Sequence, residues 1–333
     1  MKIGLYLATQ FTPDTDVGSR LDDLLAQVRA AKANGFESLW AAHHFLTAPL
    51  QMLQPIPLLA RLMAEAEGMR IGPNILVLPL LNPVIVAEEA ATMDVLSGGR
   101  FTLGVGLGYR DAEFDNLGIA KKSRVDRFNE SIEIMRKLWT DDKVTYQGRY
   151  FQLKDASISL KPKQASGPPI WVAAVVDPAI QRAAMIGDAW LITFYPTLKS
   201  LTEQLATYRE TRASAGLPPV EEYPICRECY VGSDQATAFE DCRAQLEYKY
   251  RAYASWGQDK ILSEQDRFDQ PFDQFKEDRF LIGDEAFIKD ELIRYRETLG
   301  VNNFIMRMQW PGLDQEKVLA SIERLGRIVA SID

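Results

Sequence analysis

The sequence predicts an α/β chain folded as a (β/α)8 TIM barrel, with insertions after strand 4 and strand 7. Three observations carry the prediction. The apolar pattern switches repeatedly between a period of two and a period of about 3.6 residues, the signatures of strand and helix. Eight strand-like runs are each followed by helix-like stretches, the order that a closed parallel barrel requires. The length of 333 residues suits one barrel domain spanning 1–333. A doubly wound open sheet is the rival, and it usually has fewer strands.

Strands are expected at 2–8, 37–42, 71–78 and 101–106, then at 169–174, 189–193, 224–231 and 303–308. A helix over 20–34 places Leu21, Leu24, Leu25 and Val28 at helical spacing, with Gly35 where a C-terminal cap belongs. In 83–97, Asn82 can cap the first turn, Pro83 suits the first helical position, and Gly98 and Gly99 end the helix. Further helices are expected at 55–67, 124–139, 177–187, 198–215, 234–255, 284–299 and 314–330. Two segments interrupt this rhythm. Residues 143–168 read as a short hairpin around Gly148 followed by a Pro-rich connection. Residues 256–280 are too polar and irregular for core and long for a connection, which suits either a lid or a passive surface excursion.

A net charge of −8 opposes binding to a phosphate backbone, so no nucleic-acid partner is expected. No run of 18 apolar residues exists to span a membrane. The N-terminus enters a strand pattern directly, without the basic and apolar regions of a signal peptide, so a cytoplasmic protein is expected. Three cysteines are too few and odd in number for a disulfide framework. Cys226 and Cys229 share a C-x-x-C spacing, but on a strand positions three apart face opposite ways, which opposes a redox or metal role. Two adjacent histidines do not supply a metal cluster, so no metal is expected.

Barrel active sites form where strands end and the following loops begin. Three junctions stand out. At 40–45 (WAAHHF), strand alternation puts Trp40, Ala42 and His44 on one face and His43 on the other, so only one histidine enters the barrel mouth directly. His44 suits proton transfer near neutral pH, or else is a hydrogen-bonded strand-end residue. At 103–110 (LGVGLGYR), alternating glycines leave one face without side chains. A flat ring or another backbone can then approach closely. Tyr109 stands where a dinucleotide fingerprint would need its third glycine. At 73–83, three prolines mark a constrained strand exit.

Together, WAAHHF at 40–45, VLPLLNPVIVAEEAATMDVLSGGRFTLGVGLGYRDAEF at 77–114, GPPIWVAA at 167–174 and the helix end Met135–Thr140 resemble the luciferase-like flavin monooxygenase family. Its members use FMN or the deazaflavin F420. The resemblance implies that His44 is catalytic, facing a flavin and managing proton movement. It implies a ring pocket shaped by Asn74, Ile75, Gly106, Leu107, Gly108 and Tyr109, with a non-proline cis peptide at Asn74–Ile75. It places the flavin phosphate near Ala174, Val175, Val176 and Ala179. Polar side chains are scarce there, so backbone amides opening helix 177–187 would substitute, assisted by Arg182 and opposed by Asp177. His43 stands where relatives often carry an acid, commonly aspartate in F420 enzymes, which leaves the cofactor open between the two.

His43, Glu228 and Arg307 are the candidate substrate contacts. Glu228 shares a strand face with Cys226 and Tyr230, and Arg307 ends strand eight; either could equally be half of a structural ion pair. The expected function is a monooxygenase that uses reduced FMN and oxygen on a small organic substrate. The FMN would come from a separate flavin reductase, because no NAD fingerprint is visible. An F420-dependent hydride-transfer enzyme and a non-catalytic flavin-binding protein are the alternatives. The resemblance also implies a homodimer through barrel helices two and three, and Val84, Ala87 and Ala91 give one side of helix 83–97 small residues for close packing.

Overall fold

A computed structural model of the chain describes residues 1–263, 266–268 and 270–332. Of the 256–280 segment, residues 264, 265 and 269 therefore lie outside the described residues. The eight expected strands are present: β1 (Lys2–Leu7), β2 (Ser38–Ala41), β3 in two parts (Arg70–Pro73 and Leu76–Val77), β4 (Leu103–Gly106), β5 (Ile170–Ala174), β6 (Ala189–Ile192), β7 (Pro224–Val231) and β8 (Asn303–Arg307). They are parallel, and β1 pairs with both β2 and β8. The first part of β3 pairs with β2 and its second part with β4, so the sheet closes into a barrel through the third strand. The Asn74–Ile75 peptide between the two parts is cis, as the resemblance implied. A further strand, Leu281–Gly283, extends the sheet beside the far end of β7.

Alternation sorts side chains into two cores. Ile3, Leu5, Leu39, Val105, Ile170, Trp190, Phe304 and Met306 point outward and are buried under the helices. Tyr6, Trp40, Trp171, Leu191, Cys226 and Ile305 point inward. Cys226 thus lies inside the barrel and Cys229 outside it, so the C-x-x-C pair does not converge. The floor of the barrel is plugged by Trp40 and Trp171, whose rings stack with centroids 4.9 Å apart. Gly72 makes room for this plug: a Cβ there would sit 3.0 Å from the Trp40 ring and overlap the Thr102 carbonyl oxygen. With the barrel's middle filled, a cavity lined by the ends of β2, β3, β4, β5 and β8 opens on the C-terminal side of the plug, and a separate hollow lies at the strand starts around Ser38, Arg70, Thr102 and Asn303.

The helices follow the expected boundaries closely, and Asn82 does cap Pro83–Leu96 by accepting the Val84 N–H at 2.9 Å. Ala87 and Ala91 of that helix are fully buried, and the Ala87 carbonyl accepts the Trp139 indole N–H at 3.1 Å. The small-residue side therefore packs within this barrel, against Arg124–Thr140, and is not a free surface. A hairpin, Val144–Gln147 with Gln152–Ala156, follows that helix, and Glu130 accepts the N–H groups of Arg149, Tyr150 and Phe151 at its turn. The 256–280 segment departs from expectation, because Phe275 and Phe280 are buried in an aromatic cluster around Tyr250. Elements not expected from the sequence include the ribbon Gln10–Phe11 with Gln51–Met52, the strand Leu281–Gly283, and the short helices Asp111–Asn116 and Phe272–Phe275. Among the described residues, no helix is long and apolar enough to cross a membrane.

The alternating glycines split between two roles. A Cβ on Gly104 would overlap the Pro73 carbonyl oxygen, whereas one on Gly106 would meet only the tip of the Ile75 side chain. Gly104→Ala must displace backbone and should cost about 2–3 kcal/mol, the upper range for overpacking. Gly106→Ala should cost clearly less. Urea unfolding of both variants checks this; equal losses would contradict the assignment of Gly104 to barrel closure.

Candidate active site

Above the tryptophan plug lies a cavity of about 290 Å³ at the C-terminal ends of the strands. Its walls come from loops that sequence reading had singled out separately. His43 and His44 line it from the end of β2, and Asn74 and Ile75 from the break in β3. Gly106, Leu107, Gly108 and Tyr109 contribute the end of β4, Ala174, Val175, Val176 and Ala179 the exit of β5, and Arg307 the end of β8.

Both histidines reach the cavity, contrary to the expectation that only one would. β2 ends at Ala41, so strand alternation no longer governs the two residues. His43 is buried, and its Nδ1 accepts the Val77 N–H at 3.0 Å, bracing the second part of β3. His44 is partly exposed, with Nδ1 3.1 Å from the Glu113 carboxylate. Glu113 is fully buried on the unexpected helix Asp111–Asn116. Burial works against its charge, but hydrogen bonds from His44 and from the Phe45 N–H (2.8 Å), with Arg110 3.5 Å away, hold its carboxyl below the usual range. A charged carboxylate at Nδ1 fixes the proton there and leaves Nε2 of His44 as the ring's acceptor. Such an arrangement can serve as a carboxylate-oriented general base.

Glu228 is a correction. It is fully buried and does not line the cavity; its carboxylate pairs with Lys249 and accepts the Tyr250 hydroxyl at 3.0 Å. The proposed amide site is also thin. Pro178 has no N–H, and that of Ala179 is spent on the Val176 carbonyl at 2.8 Å. Lys121 and Arg124 line the cavity instead. Arg124 bonds the Lys121 carbonyl through Nη1, while its buried Nε has no partner among the described residues.

Sequence reading did not single out Glu113, Lys121, Arg124, Tyr253 or Gln258. Glu113 falls inside the 77–114 block, so its signal was present without a role. Gln258 lines the cavity from the 256–280 segment and accepts the Tyr109 hydroxyl at 3.0 Å. Trp256 packs edge-on to His44, with the Arg110 guanidinium 4.5 Å from its ring. The segment therefore forms part of the cavity roof.

A model of the luciferase-like monooxygenase family matches residues 1–302. The chain is 28% identical over 312 residues to an F420-dependent glucose-6-phosphate dehydrogenase of Amycolatopsis mediterranei, covering 89% of this chain and 91% of that one. It is 35% identical over 151 residues to the 4-hydroxyprotoasukamycin monooxygenase of Streptomyces nodosus subsp. asukaensis, covering 45% and 41%. In fold it is similar to monooxygenase RslO1 from Streptomyces bottropensis, with a TM-score of 0.87, 20% identity and 99% of each chain covered. The barrel is thus the fold of solved structures similar to this chain, and the chain belongs to the luciferase-like monooxygenase family, whose members are flavin- or F420-dependent oxidoreductases.

Proposed function

We propose that the protein is the oxygenating component of a two-component flavin monooxygenase, taking reduced FMN from a separate reductase and using oxygen to oxidise a small organic substrate. The observation that carries this reading is the Glu113–His44 pair at the edge of a cavity whose adjoining wall, Gly106 to Gly108, has no bulky side chains at its glycines. A flat ring fits such a wall. The residues present suit the whole cofactor. Ile75, Gly106 and Leu107 offer an apolar seat for the ring, while Arg124, with its unpartnered Nε, and Lys121 offer charge for the phosphate. Reduced FMN, when bound, supplies the electrons that activate oxygen. The chain's own residues supply the rest: His44 takes or returns a proton at Nε2, Glu113 keeps that nitrogen free, and Trp256 with Gln258 limits entry of water.

Similarity over most of the chain to an F420-dependent dehydrogenase favours a second reading, hydride transfer in the same cavity without oxygen. We also read the chain as a homodimer, through the exposed side of Pro83–Leu96, where Ile85, Val95 and Leu96 face outward.

If His44 acts as the base, His44→Ala should lower oxidation of a panel of aldehydes, ketones and sulfonates by about 10²–10⁴-fold with reductase-supplied FMN. Glu113→Gln should fall between that variant and the parent. Oxygen uptake and product formation measure both; full turnover by His44→Ala would remove the assigned role.

His43 serves differently. Burial, with the neighbouring His44 charge, pushes its pKa down to about 4. The folded state thus favours the neutral ring, and this contribution is fully present above the unfolded value near pH 6.5. It is lost as the pH falls toward 4, by about 3 kcal/mol in all. With only two histidines in the chain, imidazole NMR can follow each ring. One ring should stay neutral to about pH 4, and His43→Asn, which keeps an acceptor for Val77, should flatten the loss of stability below pH 6.5. Two rings titrating near 6.5 would contradict this.

A further inference from the structure

We propose that Arg307, backed by the Lys249–Glu228 pair, anchors a carboxylate on the substrate, so that the enzyme acts on anionic organic compounds. The proposal rests on the reading of this cavity as the active site.

Arg307 ends β8, is 5% exposed and lines the cavity. Its guanidinium carbon sits 4.2 Å from the centre of the Tyr6 ring and 4.7 Å from that of Phe194. Nη1 donates to the Tyr253 hydroxyl at 3.2 Å, and the buried Nε has no partner among the described residues. Its nearest carboxylate is Glu228, at 3.9 Å, beyond hydrogen-bond range. Glu228 is already engaged by Lys249, Tyr250 and Trp310.

The cluster thus holds two buried cations against one buried carboxylate. Burial and the charge of Arg307 push the Lys249 ammonium down to about 7 against the pull of Glu228, which accords with excess positive potential. A buried cation without a full counter-ion costs several kcal/mol unless something compensates, and the two rings offset only part of that. Arg227 on β7, which does not line the cavity, shows an arginine whose donors are filled from within the chain. That residue bonds the carbonyls of Thr193, Cys226 and Pro196 and the Tyr295 hydroxyl. Arg307 instead presents an open donor, and a charged oxygen is the partner of highest value for it. Tyr6, Phe194, Tyr195 and Tyr253 also line the cavity and suit an aromatic or apolar body on the same molecule.

The test titrates benzoate and benzamide, nearly isosteric and differing in charge, into the full chain by calorimetry, with FMN affinity measured in parallel. Benzoate should bind about tenfold more tightly or better, as a charge-assisted hydrogen bond predicts. That preference should collapse in Arg307→Met. It should also weaken in Lys249→Met, which leaves Arg307 and Glu228 mutually neutralised and does not depend on Arg307→Met folding. Equal affinities in the parent protein, or a preference unchanged in a folded variant of either kind, would overturn the proposal. So would an Arg307→Met variant that loses FMN while keeping its preference for benzoate. Normal FMN binding without benzoate preference would sink the anion site alone. Benzoate preference without affinity for FMN would uphold the anion site and sink the flavin reading.

Discussion

The buried carboxylate of Glu113 is the constraint on which the upper half of this barrel depends. It accepts the Phe45 N–H and meets Nδ1 of His44, joining the loop after β2 to the short helix after β4. Arg110 reinforces the joint by donating to the carbonyls of Phe45 and Leu46 at 2.7 and 3.1 Å. An acid with no exposure is costly unless its charge is met; three groups gather around Oε1, while Oε2 is buried with no partner among the described residues. Those partnerships also orient the imidazole. The same interaction that joins the two loops thereby holds His44 in the orientation that the proposed proton transfer needs.

The cavity above the tryptophan plug has cationic residues on two walls. Arg124 and Lys121 come from the connection after β4, and Arg307 from the end of β8. Among the described residues, both arginines leave a buried Nε without a partner, as does Arg294 away from the cavity. An unmade buried donor is costly, and on these two walls a ligand oxygen would meet it. The ring-seating surface between them is mostly apolar or backbone. This division of labour, charge at the ends and a flat wall between, is what a phosphate-bearing ring cofactor and an acidic substrate require together.

Much of the fold was legible in the sequence, because eight alternations of period survive in the barrel with little shift of boundary. The break in β3 was visible through its prolines, and the cis peptide only through family resemblance. The site was legible where backbone features mark it, as at Gly106 to Gly108. It was obscured where long-range contact decides the role. Glu113 sits in a six-residue helix too short to show periodicity, and its neighbours His44 and Phe45 are far away in sequence. Strand alternation placed His44 at the barrel mouth, where it lies, but turned His43 away from it, because the strand stops before the pair. Glu228 read as a site residue from its strand face, yet Lys249, from a helix that sequence could not orient, claims it. Lys121 and Arg124 carried no signal in the sequence, and only the fold sets them beside the exit of β5.

The central claim is that this cavity takes a reduced flavin carrying a phosphate. Its most direct test is anaerobic equilibration of the purified protein with equal amounts of reduced FMN and reduced F420. The retained species is then identified by absorbance and mass. The account predicts retention of FMN. Selective retention of F420 would transfer the site to hydride chemistry, and retention of neither would contradict the claim.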